Sequence, residues 1–224
     1  TLCLVFCSFS ALALEKDSTG AYLISSGADL KEFANKVIAG ETKANAILTE
    51  DVDISEYVDW NPIMGVKKQS FIITYYTRTP YSGTFDGQGH TITGLTIKND
   101  NSNNDHHLGL FGNNSGTIKN VTIVDANITV STASADVKQG AIAGQNSGKI
   151  INCHSINSTM DNFSTGYASK VGGIAGINSG IIDGCSTDSG RCVVRSLSEV
   201  VGGIAGTNTG TIKNCENTAK VENT

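Results

Sequence analysis

The sequence predicts an all-β fold: a solenoid of stacked parallel strands, entered through a short N-terminal capping helix. Three observations predict it. First, four segments align without gaps: GLFGNNSGTIKNV at 109–121, AIAGQNSGKIINC at 141–153, GIAGINSGIIDGC at 173–185 and GIAGTNTGTIKNC at 203–215. Second, their starts lie 32, 32 and 30 residues apart, an interval at which each unit must bury its apolar face against its neighbours. Third, the chain holds 25 Gly but 2 Pro, with 17% charged and 6% aromatic residues. Short polar side chains, frequent Gly and regular Ile/Val fit many tight turns between short strands.

The first fourteen residues, TLCLVFCSFSALAL, form an apolar run followed by Glu15-Lys16-Asp17. The run is too short to span a bilayer as a helix. Ala11 and Ala13 are small residues at the positions a signal peptidase reads, so residues 1–13 are expected to be a signal peptide truncated at its start. A buried N-terminal helix or strand is the alternative. Lipid attachment at Cys7 is disfavoured by the bulky Phe6 before it.

Residues 14–65 read as a capped lead-in. Ala21-Tyr22-Leu23-Ile24 is a short strand. Ser26 can cap a helix from about Ala28 to Ile38 that places Leu30, Phe33, Ala34 and Val37 on one face, with Gly40 ending it. Such a helix would cover the open end of the first coil. Ala46–Thr49 and Val52–Ile54 continue as strand, and Trp60-Asn61-Pro62-Ile63 is a turn with an aromatic anchor. Residues 66–82, with Phe71, Ile72, Ile73, Tyr75 and Tyr76, read as a β-rich side excursion whose aromatics either contact a partner or pack back on the solenoid.

Residues 83–224 are the solenoid, opened by GTFDGQGHTITGLTI and expected to continue beyond the fragment. Leu110, Ile142, Ile174 and Ile204 form one inward column. Ile118, Ile150, Ile182 and Ile212 form a second. Burial of each such side chain is worth about 1.5–3 kcal/mol, much of it offset by backbone ordering. Gly112, Gly144, Gly176 and Gly206 are expected to face the same way as the first column, at period two, and to let the wall bend inward or the core narrow. Gly116, Gly148, Gly180 and Gly210 are expected to supply positive φ between strands. Asn114, Asn146, Asn178 and Asn208 are expected to tolerate left-handed geometry or to bond one another as a ladder. Asn120, Asn152 and Asn214, with Gly184 as the exception, form a second such column.

If cleavage follows Ala13, Cys3 and Cys7 leave with the leader and Cys153, Cys185, Cys192 and Cys215 remain. Export permits disulfides without demanding them. Val121, Cys153, Cys185 and Cys215 share one column, so the site accepts a small apolar group and a buried free-thiol ladder is favoured. A bridge between coils and a Cys185–Cys192 loop staple are the other readings. No Cys pair has the spacing of a zinc knuckle.

The tandem GGIAG-x-N-x-G-x-I-x-x-C pattern resembles the GLUG motif of bacterial secreted and surface proteins, which also occurs in accessory regions of IgA1-cleaving metalloproteases. LISSGADLKEFANKV, Trp60–Ile63 and GTFDGQGHTITGLTI look like the N-terminal part of the same proteins. The resemblance covers about residues 21–217. It implies a right-handed parallel β-helix outside the cytoplasm and no activity. The metalloprotease members need His-Glu-x-x-His, and His90, His106, His107 and His154 do not form it.

Parallel β-helices also host polysaccharide lyases and glycoside hydrolases, but fold analogy does not decide activity. Such enzymes need paired carboxylates, or acidic metal ligands beside a base. Asp86 sits in a Gly-rich turn, where Asp commonly bonds backbone. Asp183 shares a variable column with Lys119, Ile151 and Lys213, where its pairing with Lys213 is a weak surface pair. Asp125 is a further candidate acid. Asp105-His106-His107 reads as solvated loop rather than metal site, as do Asp188, Arg191 and Arg195. The sequence therefore assigns no catalytic, cofactor or metal residue. The expected function is a non-catalytic extracellular or cell-surface scaffold or adhesin-like module, with a carbohydrate-active β-helix enzyme as the alternative. A net charge of -5 without a basic run argues against nucleic acid. The expected partners are a host protein or glycan and other domains of a longer polypeptide, with no transmembrane segment.

Overall fold

The computed structural model describes residues 14–70, 74–99, 106–131, 136–163, 169–188, 193–196 and 200–223. The segment 1–13, Asp105, Arg191 and Cys192 therefore lie outside the described residues.

The chain winds through five walls of parallel strands. The first wall stacks Thr84–Asp86, Thr117–Lys119, Lys149–Ile151, Ile181–Asp183 and Thr211–Lys213, and it extends into the lead-in through Tyr22–Ile24 and Ala46–Leu48. The second holds Val52–Asp53, Thr91–Thr93, Thr122–Val124, His154–Ile156, Ser186–Asp188 and Glu216–Asn217. The third holds Thr96–Asn99, Asn127–Val130, Thr159–Asn162, Val193–Ser196 and Lys220–Asn223. The fourth holds His106–Leu108, Val137–Gln139, Lys170–Gly172 and Val200–Gly202. The fifth holds Phe111–Asn114, Ala143–Asn146, Ala175–Asn178 and Ala205–Asn208. Three coils carry all five walls, beginning at Phe111, Ala143 and Ala175. The aligned repeat is one fifth-wall strand, one first-wall strand and the turns around them.

Register follows the sequence columns. Ile118 pairs with Ile150, and Ile150 with Ile182. The amide of Ile142 donates to the carbonyl of Ile174 at 3.1 Å, and that of Ile174 to Ile204 at 2.9 Å. Both apolar columns are buried through Ile182 and Ile174 and only partly covered at Ile204 and Ile212.

The helix spans Gly27–Ile38, with the Ser26 hydroxyl accepting from the Asp29 amide at 3.2 Å. It buries Leu30, Phe33, Ala34 and Val37. Phe33 packs edge-on to Tyr22 and Tyr81 and beside Phe85, with ring centroids 5.9–6.2 Å apart. The helix thus closes the first coil with apolar side chains, as a solenoid cap must. Trp60 is buried, its indole N–H donating to the Leu110 carbonyl at 3.2 Å. The side excursion is an antiparallel hairpin, Gly65–Ser70 against Thr74–Thr79. Tyr76 is exposed there, and Phe71, Ile72 and Ile73 lie outside the described residues.

One column assignment changes. Gly116, Gly148, Gly180 and Gly210 do not have positive φ. Each is glycine because an added Cβ would strike the backbone of the preceding coil: the carbonyl oxygens of Gly83, Gly116, Gly148 and Gly180 respectively. The Asn120 column does take the left-handed geometry open to it: Asn120, Asn152 and Asn214 have φ of 51–54°, and Gly184 has 64°. Glycine replaces asparagine there because both tolerate that geometry. Gly144 and Gly176 lie buried in the fifth-wall strands Ala143–Asn146 and Ala175–Asn178. A Cβ on Gly144 would meet the backbone of His107 and Leu108 at 2.6–2.7 Å, so this column sets the close approach of the fifth wall to the fourth.

Candidate functional site

The side chains that repeat from coil to coil fall into four constellations, each built by one corner or wall.

At the corner between the fifth and first walls lies a shallow groove of about 490 Å³ running across successive coils, lined by Ser115, Ser147, Ser179, Lys149, Thr211 and the glycines between them. The missing Cβ atoms make it. The Ser115, Ser147 and Ser179 hydroxyls donate to the carbonyls of Tyr81, Asn114 and Asn146 at 3.1–3.3 Å. Their protons are thereby committed to the backbone, and their lone pairs remain as acceptors. Beneath the groove the Asn side chains form a buried ladder: Asn114 donates to Asn146 at 2.8 Å, Asn146 to Asn178 at 2.7 Å and Asn178 to Asn208 at 2.7 Å. The groove can offer hydroxyl and ammonium contacts. Its lining includes no carboxylate, so it holds no acid–base pair.

On the outer face of the first wall, Asp86, Lys119, Ile151, Asp183 and Lys213 stand in register. Lys119 lies 2.8 Å from Asp86, and Lys213 lies 3.2 Å from Asp183. Burial opposes ionisation of Asp86, but hydrogen bonds from Lys119, Asn120 and the Gln88 amide outweigh it and hold its carboxyl below the usual range. Hydrogen bonds from Asn214 and Lys213 hold Asp183 low as well. Both carboxylates are thus committed to structural partners.

The fourth wall corrects the solvated-loop reading of His107, which is buried in the strand His106–Leu108, and adds two lysines that the sequence reading did not single out. His107, Lys138 and Lys170 are in register, and Asp136 bridges the two ammonium groups at 3.0 and 3.6 Å. Stacked like charges are unfavourable unless a counter-charge joins them, and Asp136 is that counter-charge. Extending the repeat alignment backwards over Lys138-Gln139-Gly140 and Lys170-Val171-Gly172 would have exposed the pair, since they lie one repeat apart.

The remaining candidates are scattered. Asp125 has φ of 56° and accepts from Asn157 on the next coil. Asp188 accepts from the Thr218 hydroxyl at 3.5 Å. His90 lies 3.3 Å from Asp51, and His154 lies 2.7 Å from Ser186. Among the described residues, no group of three or more His, Cys, Asp or Glu converges as a metal site, and no helix is long and apolar enough to cross a membrane.

The cysteine column is the fourth constellation. Cys153 and Cys185 are buried free thiols and Cys215 is a half-buried one, below a buried Val121. The Cys185–Cys192 staple falls outside the described residues.

Residues 198–222 match the family model described as the GLUG motif. The chain carries the GLUG motif. The chain is 32% identical over 108 residues to Halomucin of Haloquadratum walsbyi, a match covering 48% of the chain and 1% of Halomucin. It also resembles the crystal structure of a candidate immunoglobulin A1 protease from Bacteroides ovatus, with a TM-score of 0.54 and 23% identity. That match covers 90% of this chain and 65% of the solved one. The chain therefore spans a small part of Halomucin and just under two thirds of the solved protein. The structural likeness concerns the fold.

Proposed function

We propose that this chain is a non-catalytic, extracytoplasmic β-solenoid module of a larger polypeptide, acting as a scaffold or adhesin-like surface for a glycan or a host protein. The observation that carries this reading is the groove along the fifth and first walls. Its hydroxyls and single lysine suit an extended polar ligand, and it lacks the two carboxylates that glycoside cleavage requires. The charged groups elsewhere neutralise one another within the solenoid, at Asp86–Lys119, Asp183–Lys213 and Asp136 with its two lysines. The apolar opening of the sequence and the match to part of Halomucin support a place outside the cytoplasm.

The test is a panel of acidic and neutral glycans and host surface proteins, offered to the full-length secreted protein and scored separately for binding and for cleavage. Binding without turnover, weakened by Ser147→Val together with Ser179→Val, is the expected result. Turnover abolished by replacing one aspartate would overturn the reading in favour of a carbohydrate-active enzyme.

A further inference from the structure

Three thiols occupy equivalent positions on successive coils. The Cys153 amide donates to the Cys185 sulfur at 3.4 Å, and the Cys185 amide donates to the Cys215 sulfur at the same distance. Each thiol also lies 3.1–3.5 Å from the carbonyl oxygen two residues before it, at Ile151, Asp183 and Lys213. Each lies 3.6–3.8 Å from a carbonyl of the coil above, at Ile118, Ile150 and Ile182. One rotamer is thus repeated three times. Successive sulfurs must be separated by the coil rise, about 4.8 Å for strands stacked in register.

That spacing and the repeated rotamer decide what the column can do. A disulfide tolerates the spacing of neighbouring coils, but it needs a dihedral of about 90° that in-register side chains pointing the same way suit poorly. A metal ion bonded linearly to two thiolates, at metal–sulfur distances of about 2.3 Å, spans about 4.6 Å and fits without moving the coils. Soft thiolate ligands select soft metals. Burial then selects among those by charge. A monovalent ion with two thiolates leaves a net negative charge in an apolar column, which is costly. A divalent ion leaves none.

We propose that the thiol column is a two-coordinate site for a soft, thiophilic divalent cation, held between Cys185 and one neighbouring cysteine. The bound ion forms two metal–sulfur bonds and releases the two thiol protons to water, with no change of oxidation state. Cys185 belongs to both possible pairs, so one ion binds per chain. Cys215, the least buried of the three, gives the way in. Two ligands suffice for this geometry, so the site does not need the larger ligand groups absent from the described residues.

Mercuric ion is the probe. The reduced full chain is loaded, passed through a gel-filtration column in glutathione, and analysed for retained metal, released protons and X-ray absorption fine structure. The expected result is one ion per chain, two protons released and two sulfur neighbours. Cys192→Ser and the Cys3→Ser/Cys7→Ser double variant retain the ion. Cys185→Val, whose valine has a precedent at Val121 of the same column, loses it while keeping the wild-type circular dichroism. Retention by Cys185→Val, three or more sulfur neighbours, or a chain that oxidises to a Cys185–Cys215 disulfide instead of loading would each overturn the proposal.

Discussion

The carbonyl oxygen of Gly116 occupies the space that a Cβ on Gly148 would need. The same relation recurs between Gly148 and Gly180 and between Gly180 and Gly210, so the turn glycines hold coils at a fixed separation. Gly148→Ala is therefore expected to cost about 3 kcal/mol, the upper range for overpacking against an unyielding neighbour. A shift of the urea midpoint at unchanged slope would measure it. Gly184→Asn is the control. Its φ of 64° matches the asparagines of the same column, so its effect should stay within about 0.5 kcal/mol.

The buried amide ladder makes a positional prediction. Asn146 donates to Asn178 and accepts from Asn114, whereas Asn208 is exposed and ends the described ladder. Asn146→Ala should cost about 3 kcal/mol, because it strands buried partners on both sides, and Asn208→Ala about 1 kcal/mol. Equal effects at the two positions, read by chemical denaturation, would contradict this ordering.

The thiol column predicts which replacements the core accepts. Cys153 is buried beneath Val121, so Cys153→Val should change stability by less than about 1.5 kcal/mol. Cys153→Asp should cost more than about 3 kcal/mol at neutral pH, since its charge has no partner in that column. Thermal denaturation of the two variants compares them directly.

Acid should act partly through Asp86. Its carboxyl is held below the ordinary value in the folded chain, so its contribution is fully present above the unfolded pKa of about 3.9. That contribution is lost as pH falls through the folded pKa. Asp86→Asn should therefore be less stable than the parent at pH 7, with the gap narrowing below about pH 4. A gap that stays constant with pH, followed by urea melts, would argue against the Lys119 and Asn120 contacts.

Much of this architecture was legible in the sequence because the repeat reports the third dimension directly. Residues 32 apart, such as Ile142 and Ile174, lie over one another, and Ser26, Leu30, Phe33 and Gly40 announce the capping helix by spacing alone. The roles of the glycines were less legible. A turn glycine can answer a demand for positive φ or a demand for space, and only the position of the next coil separates Gly148 from Gly184. The Asp136 bridge was missed for a related reason. Its lysines lie just outside the aligned core of the repeat, and an ion pair across coils depends on register rather than on local pattern.

The central claim is that like side chains from successive coils touch. A double-mutant cycle on Asn146 and Asn178 tests it most directly, using Asn146→Ala, Asn178→Ala and the pair. Stacked amides predict that the double variant is more stable than the sum of the single losses allows, by a coupling energy of about 1 kcal/mol or more. Losses that simply add would mean that the two amides do not meet, and the register from which every column here is built would be wrong.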